Sequence, residues 1–216
     1  MLHNQEDVYY YVTVMNENYH HPEMPKGAEA GILRGMYLLR EGPAGKNGRV
    51  QLLGSGAILR EVEAAAQLLA DDFGVGSDVW SVTSFNELRR DGIAADRWNL
   101  VHPEEPPRQS YVAQCMSGHD GPAIASTDYI RTFADHIRPY VAGPQQNRRY
   151  VTLGTDGFGR SDLRSKLREF FEVNRYYVAV AALKALADEG TIKPSVATAA
   201  IKKYGLNPEK PNPVTV

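Results

Sequence analysis

The side chains that could do chemistry fall mainly in three short stretches of this 216-residue chain. In LLGSGAILREV, Gly54 and Gly56 stand between an apolar run and a helical pattern, the arrangement in which amides at a helix start hold a phosphate. A dinucleotide fingerprint, GxGxxG, needs glycine at 59 and meets Leu59, and no GK[ST] follows. The competing reading gives both glycines to a tight strand-to-helix turn that needs positive φ or close backbone approach. In LGTDGFGRSD, Asp156, Ser161 and Asp162 follow a strand-like run, on the edge where open α/β sheets hold their sites. Asp and Gly are equally what a plain turn uses. In NENYHHPEMP, Asn16, Glu17, Asn18, His20, His21 and Glu23 supply acid–base and metal-binding groups. Adjacent histidines between prolines do not converge on one centre, and there is no HExxH, so a turn or an interface is expected there.

The remaining reactive groups are scattered. His102, His119 and His136 stand singly, no GxSxG elbow is present, and nothing marks a catalytic pair among 26 acidic residues. The single cysteine, Cys115, sits in the apolar run YVAQCM and reads as a buried, inert thiol. One cysteine gives no internal disulfide and no structural zinc pattern, which suits a reducing compartment and makes the cytoplasm the expected location. With 24 basic against 26 acidic side chains the net charge is −2, so neither nucleic acid nor an anionic membrane is an expected partner. No apolar run approaches the ~20 residues of a membrane span, and MLHNQEDVYYYV has no signal-peptide pattern.

The elements that position these groups follow from periodicity. VYYYVTVM, residues 8–15, reads as a buried strand with few neighbours of its own, as in a chain cut from a longer protein. A loop through Gly27 leads to a helix over 28–39, with Ala28, Ile32, Gly35, Met36 and Leu39 on one side. EGPAGKNGR, residues 41–49, reads as a linker. From Val50, strands and helices alternate. RVQLLG, VGSDVWSVTS and RRYVTLG are strands, ILREVEAAAQLLADDF is a helix, and 85–98 is a short helix and turn. After the loop HPEEPPR, YVAQCM and PAIAST read as extended, and DYIRTFADHIRPYV as one helix. Ser161 or Asp162 is expected to cap the helix in LRSKLREFF and Asn174 the next one, while Pro194 opens and Gly205 ends the last. Runs such as VQLL and VTLG do not alternate, so the sheet is buried on both faces and mostly parallel, in a three-layer α/β domain.

Read as strings, NENYHHPEMPKGAEAGILRGMY, VQLLGSGAILREV, VTSFNELRRDG, RWNLVHPEEPPR, ASTDYIRTFADHIRPYV and LGTDGFGRSDLRSKLREFFEV resemble the C-terminal region of homodimeric pyruvate dehydrogenase first components. These belong to the transketolase-like thiamine diphosphate enzymes. The resemblance implies a transketolase C-terminal-like domain over 50–216, preceded by the end of a pyrimidine-binding domain with its connecting helix over 1–40 and a linker over 41–49. In the full-length enzyme it implies thiamine diphosphate and magnesium, held by a GDG…N motif and an activating glutamate that this sequence does not contain. No catalytic, cofactor-binding or metal residue is therefore assigned here, and no cofactor is expected for this piece alone. The implied partners are a second copy in a homodimer and the dihydrolipoyl acetyltransferase core of the complex. The acetyltransferase contact is expected at the other end of the long chain. Loops facing neighbouring catalytic domains would draw on His20, Glu87, Arg89, Asp91, Asp156, Ser161 and Asp162. A self-contained nucleotide-binding domain using the Gly54–Gly56 loop is the alternative.

Overall fold

The computed structural model describes residues 3–10, 12, 18–141 and 148–216. Its frame is a five-stranded sheet built from β1 (Met36–Arg40), β2 (Arg49–Gly54), β3 (Gly76–Val82), β4 (Ala123–Ser126) and β5 (Tyr150–Leu153), in the spatial order β1-β3-β2-β4-β5. Strands β2 to β5 run parallel and β1 lies antiparallel along β3. Every residue of β3 is buried, as a strand covered on both faces requires.

Alternation along the strands divides the core in two. Val50, Leu52, Val79 and Ile124 pack against α2 (Leu59–Phe73), α8 (Arg175–Asp188) and α9 (Pro194–Lys203). Leu53, Trp80, Ala123 and Ala125 pack against α3 (Phe85–Val101), α4 (Tyr111–Met116), α5 (Arg131–Asp135) and α6 (Arg138–Val141). The chain thus has the expected three layers. Asn174 caps α8, accepting from the Tyr176 and Tyr177 amides at 3.1 and 3.2 Å, Pro194 opens α9, and Gly205 follows its end at φ +65°.

Several local expectations need correction. The helix expected over 28–39 is only α1 (Glu29–Arg34). Gly35 closes it at φ +106°, and a Cβ there would lie 2.6 Å from the Ser84 carbonyl oxygen. The residues after it form β1 of the main sheet, so the sheet begins at Met36, ahead of the domain start expected at 50. Residues 41–48 are not a free linker either. Cβ atoms at Gly42 and Gly45 would fall 2.1 and 2.0 Å from Ser77 O and Gly76 N, so these glycines let the strap lie directly on β3.

YVAQCM is helical, not extended, because Ser110 Oγ accepts from the Ala113 amide (3.2 Å) and the Asp91 carboxylate accepts from the Tyr111 amide. Helix α3 runs to Val101, past the expected turn, with Ser84 as its cap. The single helix expected over 128–141 is two, since Pro139 has no N–H to continue α5. Neither Ser161 nor Asp162 caps α7 (Arg164–Phe170). Asp162 instead accepts from the adjacent Leu163 amide at 2.6 Å. Half of the strand expected over 8–15 lies outside the described residues, and Val8, Tyr9, Tyr10 and Val12 belong to no regular element.

Candidate functional site

The carboxyl ends of the parallel strands carry the glycine turn, whose two glycines are closely packed by their neighbours. A Cβ on Gly54 would stand 2.8 Å from Leu59 Cα, so α2 packs directly on the turn. Gly56 has φ +56°, and a Cβ there would meet Asp128 Oδ1 at 2.9 Å. A carboxylate thus faces the position a phosphate would need, which disfavours the nucleotide-binding alternative. Ser55 N donates to the Ser126 carbonyl (3.2 Å), tying this turn to the end of β4.

The loops after β4 and β5 are joined beside it. Thr155 donates from its amide to Tyr129 O (2.9 Å) and from its hydroxyl to Asp128 O (2.7 Å), and Asp156 Oδ2 accepts from Arg131 N (3.1 Å) and Nε (3.0 Å). A cleft of about 650 Å³ opens along this edge, with Tyr19, Ala57, Asp128, Thr155, Arg160 and Arg164 among its walls.

The residues singled out from sequence do not converge. Asp156 holds two loops together, Asp162 bonds its neighbour's amide, and Ser161 is exposed. Glu87 pairs with Arg90 along one face of α3 at 2.7 Å, and Arg89 is exposed. Asp91 supports α4 and lies 3.7 Å from Arg34. His20 is exposed in an irregular segment, while Asn16 and Glu17 lie outside the described residues. The stretches at 84–91 and 156–162 do start from the same edge of the sheet, but β2 and β4 stand between their strands. Among the described residues no three His, Cys, Asp or Glu side chains are grouped to hold a metal. Cys115 is partly rather than fully buried, and burial pushes its thiol up.

Two buried carboxylates escaped the sequence reading. Glu61, at the start of α2, accepts from Arg168 Nη1 (3.1 Å) and from Arg175 N (3.0 Å), Nε (2.9 Å) and Nη2 (3.1 Å). Burial alone would push this carboxyl up, but the Arg175 hydrogen bonds and charge, aided by Arg168, hold it below its ordinary 4.5. Arg168 Nη2 also donates to the Tyr19 hydroxyl (3.1 Å), and the Tyr19 ring lies 4.4 Å beneath the Arg60 guanidinium.

Asp78 lies in β3 near the opposite, amino edge. It accepts from Gln51 Nε2 (3.0 Å), the Gly42 amide (3.2 Å) and Arg49, and stands 3.0 Å from His119 Nδ1. Gln51 in turn accepts from Trp80 Nε1 (2.9 Å). Burial opposes the Asp78 charge, and bonds from His119 and Gln51 with the Arg49 charge outweigh it, keeping the carboxyl below 3.8. Each acid had a visible signal: Glu61 shares the buried stripe of α2 with Val62, Ala65 and Leu69, and Asp78 interrupts the run VGSDVWSV.

Comparison with known proteins places this geometry in context. A family model described as the transketolase-like TK C-terminal domain matches residues 35–174. The chain is 60% identical over 214 residues to the pyruvate dehydrogenase E1 component of Pseudomonas aeruginosa, covering 99% of this chain and 24% of that protein. To the same component of Cupriavidus necator it is 61% identical over 217 residues, covering 100% of this chain and 24% of that protein. For Escherichia coli K12 the figures are 56% over 209 residues, 97% and 23%. The chain thus spans about a quarter of the length of the curated relatives it matches, at their C-terminal part. Among solved structures, the transketolase of Campylobacter jejuni is 17% identical at a TM-score of 0.45, covering 70% of this chain and 18% of that one. A transketolase complex from Pichia stipitis is 18% identical at 0.46, covering 73% and 19%.

Proposed function

Because this chain belongs to the transketolase-like C-terminal domain family and matches the C-terminal part of pyruvate dehydrogenase E1 components along nearly its whole length, we propose that it is the C-terminal domain of such a component. The observation that carries this reading is the 60% identity over 99% of the chain. The whole protein would decarboxylate pyruvate and pass the two-carbon unit to the lipoyl group of a dihydrolipoyl acetyltransferase in the cytoplasm, working as a homodimer. Thiamine diphosphate with magnesium would supply the carbanion and the electron sink for that reaction.

The described residues of this chain do not fit that cofactor. The one turn resembling a phosphate cradle faces the Asp128 carboxylate, and no acidic cluster among the described residues suits magnesium. The domain's part is then structural: a rigid three-layer body that supports the dimer and the loops around neighbouring catalytic domains.

A hybrid enzyme tests this. The chain should replace the last quarter of the Escherichia coli component with pyruvate-dependent lipoyl reduction retained, and the chain alone, given magnesium and thiamine diphosphate, should release no carbon dioxide. A hybrid that folds and assembles yet does not turn over pyruvate would sink the reading. Carbon dioxide release by the chain alone would overturn its structural role.

A further inference from the structure

Residues 207–215 lie against the loop after β5 and are pinned at two points. Lys210 Nζ donates to Phe170 O (2.5 Å) and Glu172 Oε1 (3.0 Å) at the end of α7, and stands 5.2 Å from the Phe170 ring centroid. Glu172 has φ +61°, a conformation that glycine usually supplies after a helix, so Lys210 secures a helix end that lacks the favoured residue. Pro213 is buried, and its carbonyl oxygen would lie 2.4 Å from a Cβ on Gly157, which has φ +106°. Between the pins Asn212 sets a turn, its Oδ1 accepting from Val214 N (3.1 Å) and its carbonyl from Thr215 N (2.9 Å). A cavity of about 300 Å³ is enclosed there, with Leu153, Gly154 and Asp156 on one wall and Lys210, Asn212 and Pro213 on the other.

The strap over 41–48 is held differently. Its backbone is bonded to the domain, since Asn47 N donates to Gly74 O (3.1 Å) and Gly42 N to Asp78 (3.2 Å). Over 207–215 the amides of Glu209, Lys210, Val214 and Thr215 donate to Asn207 or Asn212, inside the segment itself. Its hold on the domain comes from the Lys210 side chain and from Pro213 and Val214 packed on Gly157. Segments held by so few contacts open locally at a small fraction of the cost of unfolding. We propose that residues 207–215 are a releasable strap: the Lys210 and Pro213 pins open together, freeing the loop over 154–160 and uncovering the cavity while the sheet stays folded. The pins are three residues apart, and the Asn212 turn with the fixed φ of Pro213 stiffens the stretch between them, so neither lifts far alone. Release unpairs no strand, because β5 ends at Leu153 and is paired with β4.

The test follows amide exchange by mass spectrometry in the full-length protein, unaltered and as Lys210→Met, Lys210→Arg and Gly157→Ala. Lys210→Met keeps an apolar stem and removes both ammonium bonds, Lys210→Arg keeps a cation that can donate to both acceptors, and Gly157→Ala presses on Pro213. Each change is read at the other pin. Lys210→Met is expected to quicken exchange over 154–160, and Gly157→Ala over 207–216, by about three- to tenfold, with 41–48 and 150–153 unchanged. Lys210→Arg should match the unaltered protein. Unchanged exchange over 154–160 in Lys210→Met would overturn the proposal, since the loop would not follow the strap. Quickening that spreads through 150–153 would also overturn it, because the segment would then belong to the global fold. If Gly157→Ala does not fold, the two Lys210 variants decide between these outcomes by themselves.

Discussion

Glu61 and Asp78 are both buried acids held by arginine, and they sit at opposite edges of one sheet with different consequences. Asp78 has a side chain 1% exposed and partners drawn from β2, the strap at Gly42 and the His119 loop, all inside the domain. Glu61, 5% exposed, is held by two helices whose arginines reach outward: Arg168 is 16% exposed and Arg175 40%. One acid stitches the domain to itself, whereas the other joins it through Arg168 to Tyr19 and the segment leading away. Similar chemistry thus ties one edge within the domain and at the other reaches, through Arg168, the N-terminal segment at Tyr19.

Removing Asp78 should cost the most. In Asp78→Ala, the fully buried Gln51 loses an acceptor, and Arg49 and His119 lose the charge they face. Breaking a buried, hydrogen-bonded charge pair typically costs ~3–5 kcal/mol. Urea denaturation at neutral pH should register that loss. A cost below about 1 kcal/mol would mean that the amino edge is no more closed than the carboxyl edge.

Glu61→Gln should cost less, about 2–3 kcal/mol, because Arg175 and Arg168 can turn partly to water. The same variant fixes a pH dependence. The Glu61 carboxyl is held below its ordinary 4.5 in the fold, so its contribution is fully present above 4.5 and is lost as pH falls through the lower, folded value. The stability gap between the unaltered chain and Glu61→Gln should therefore be constant from pH 7 to about 5 and close at more acidic pH. A gap that does not narrow at all as pH falls below 4.5 would separate the Glu61 contribution from its charge.

The layers of the fold could be read from sequence because they depend on periodicity: VQLL, VTLG and the stripe of α2 carry their own signal. The errors cluster where a tertiary partner overrides local pattern. The apolar spacing over 28–39 continues past Gly35, but pairing with β3 makes 36–40 a strand. Gly42 and Gly45 look like linker residues until the backbone of β3 is seen against them. The candidate residues were chosen as polar groups in turns, and Asp91, Asp156 and Asp162 prove to be turn and cap acceptors. Neither buried acid was chosen, since their partners lie 107 to 114 residues away for Glu61 and 27 to 41 away for the Asp78 side-chain pairs.

The smallest expected effect is the most informative about attachment. Tyr19→Phe removes the hydroxyl that accepts from Arg168 and keeps the ring beneath Arg60. One partly exposed hydrogen bond to a charged group is worth ~0.5–1 kcal/mol here, so amide exchange over residues 18–27 should quicken about two- to fivefold with little change in global stability. Combining it with Glu61→Gln gives a double-mutant cycle. If the Glu61 clamp positions Arg168 for Tyr19, the combined loss should fall short of the sum by more than about 0.5 kcal/mol, since either change alone already breaks the same chain of contacts. Additive losses would show that Arg168 serves Glu61 and Tyr19 independently, and the carboxyl edge would then be as self-contained as the edge around Asp78.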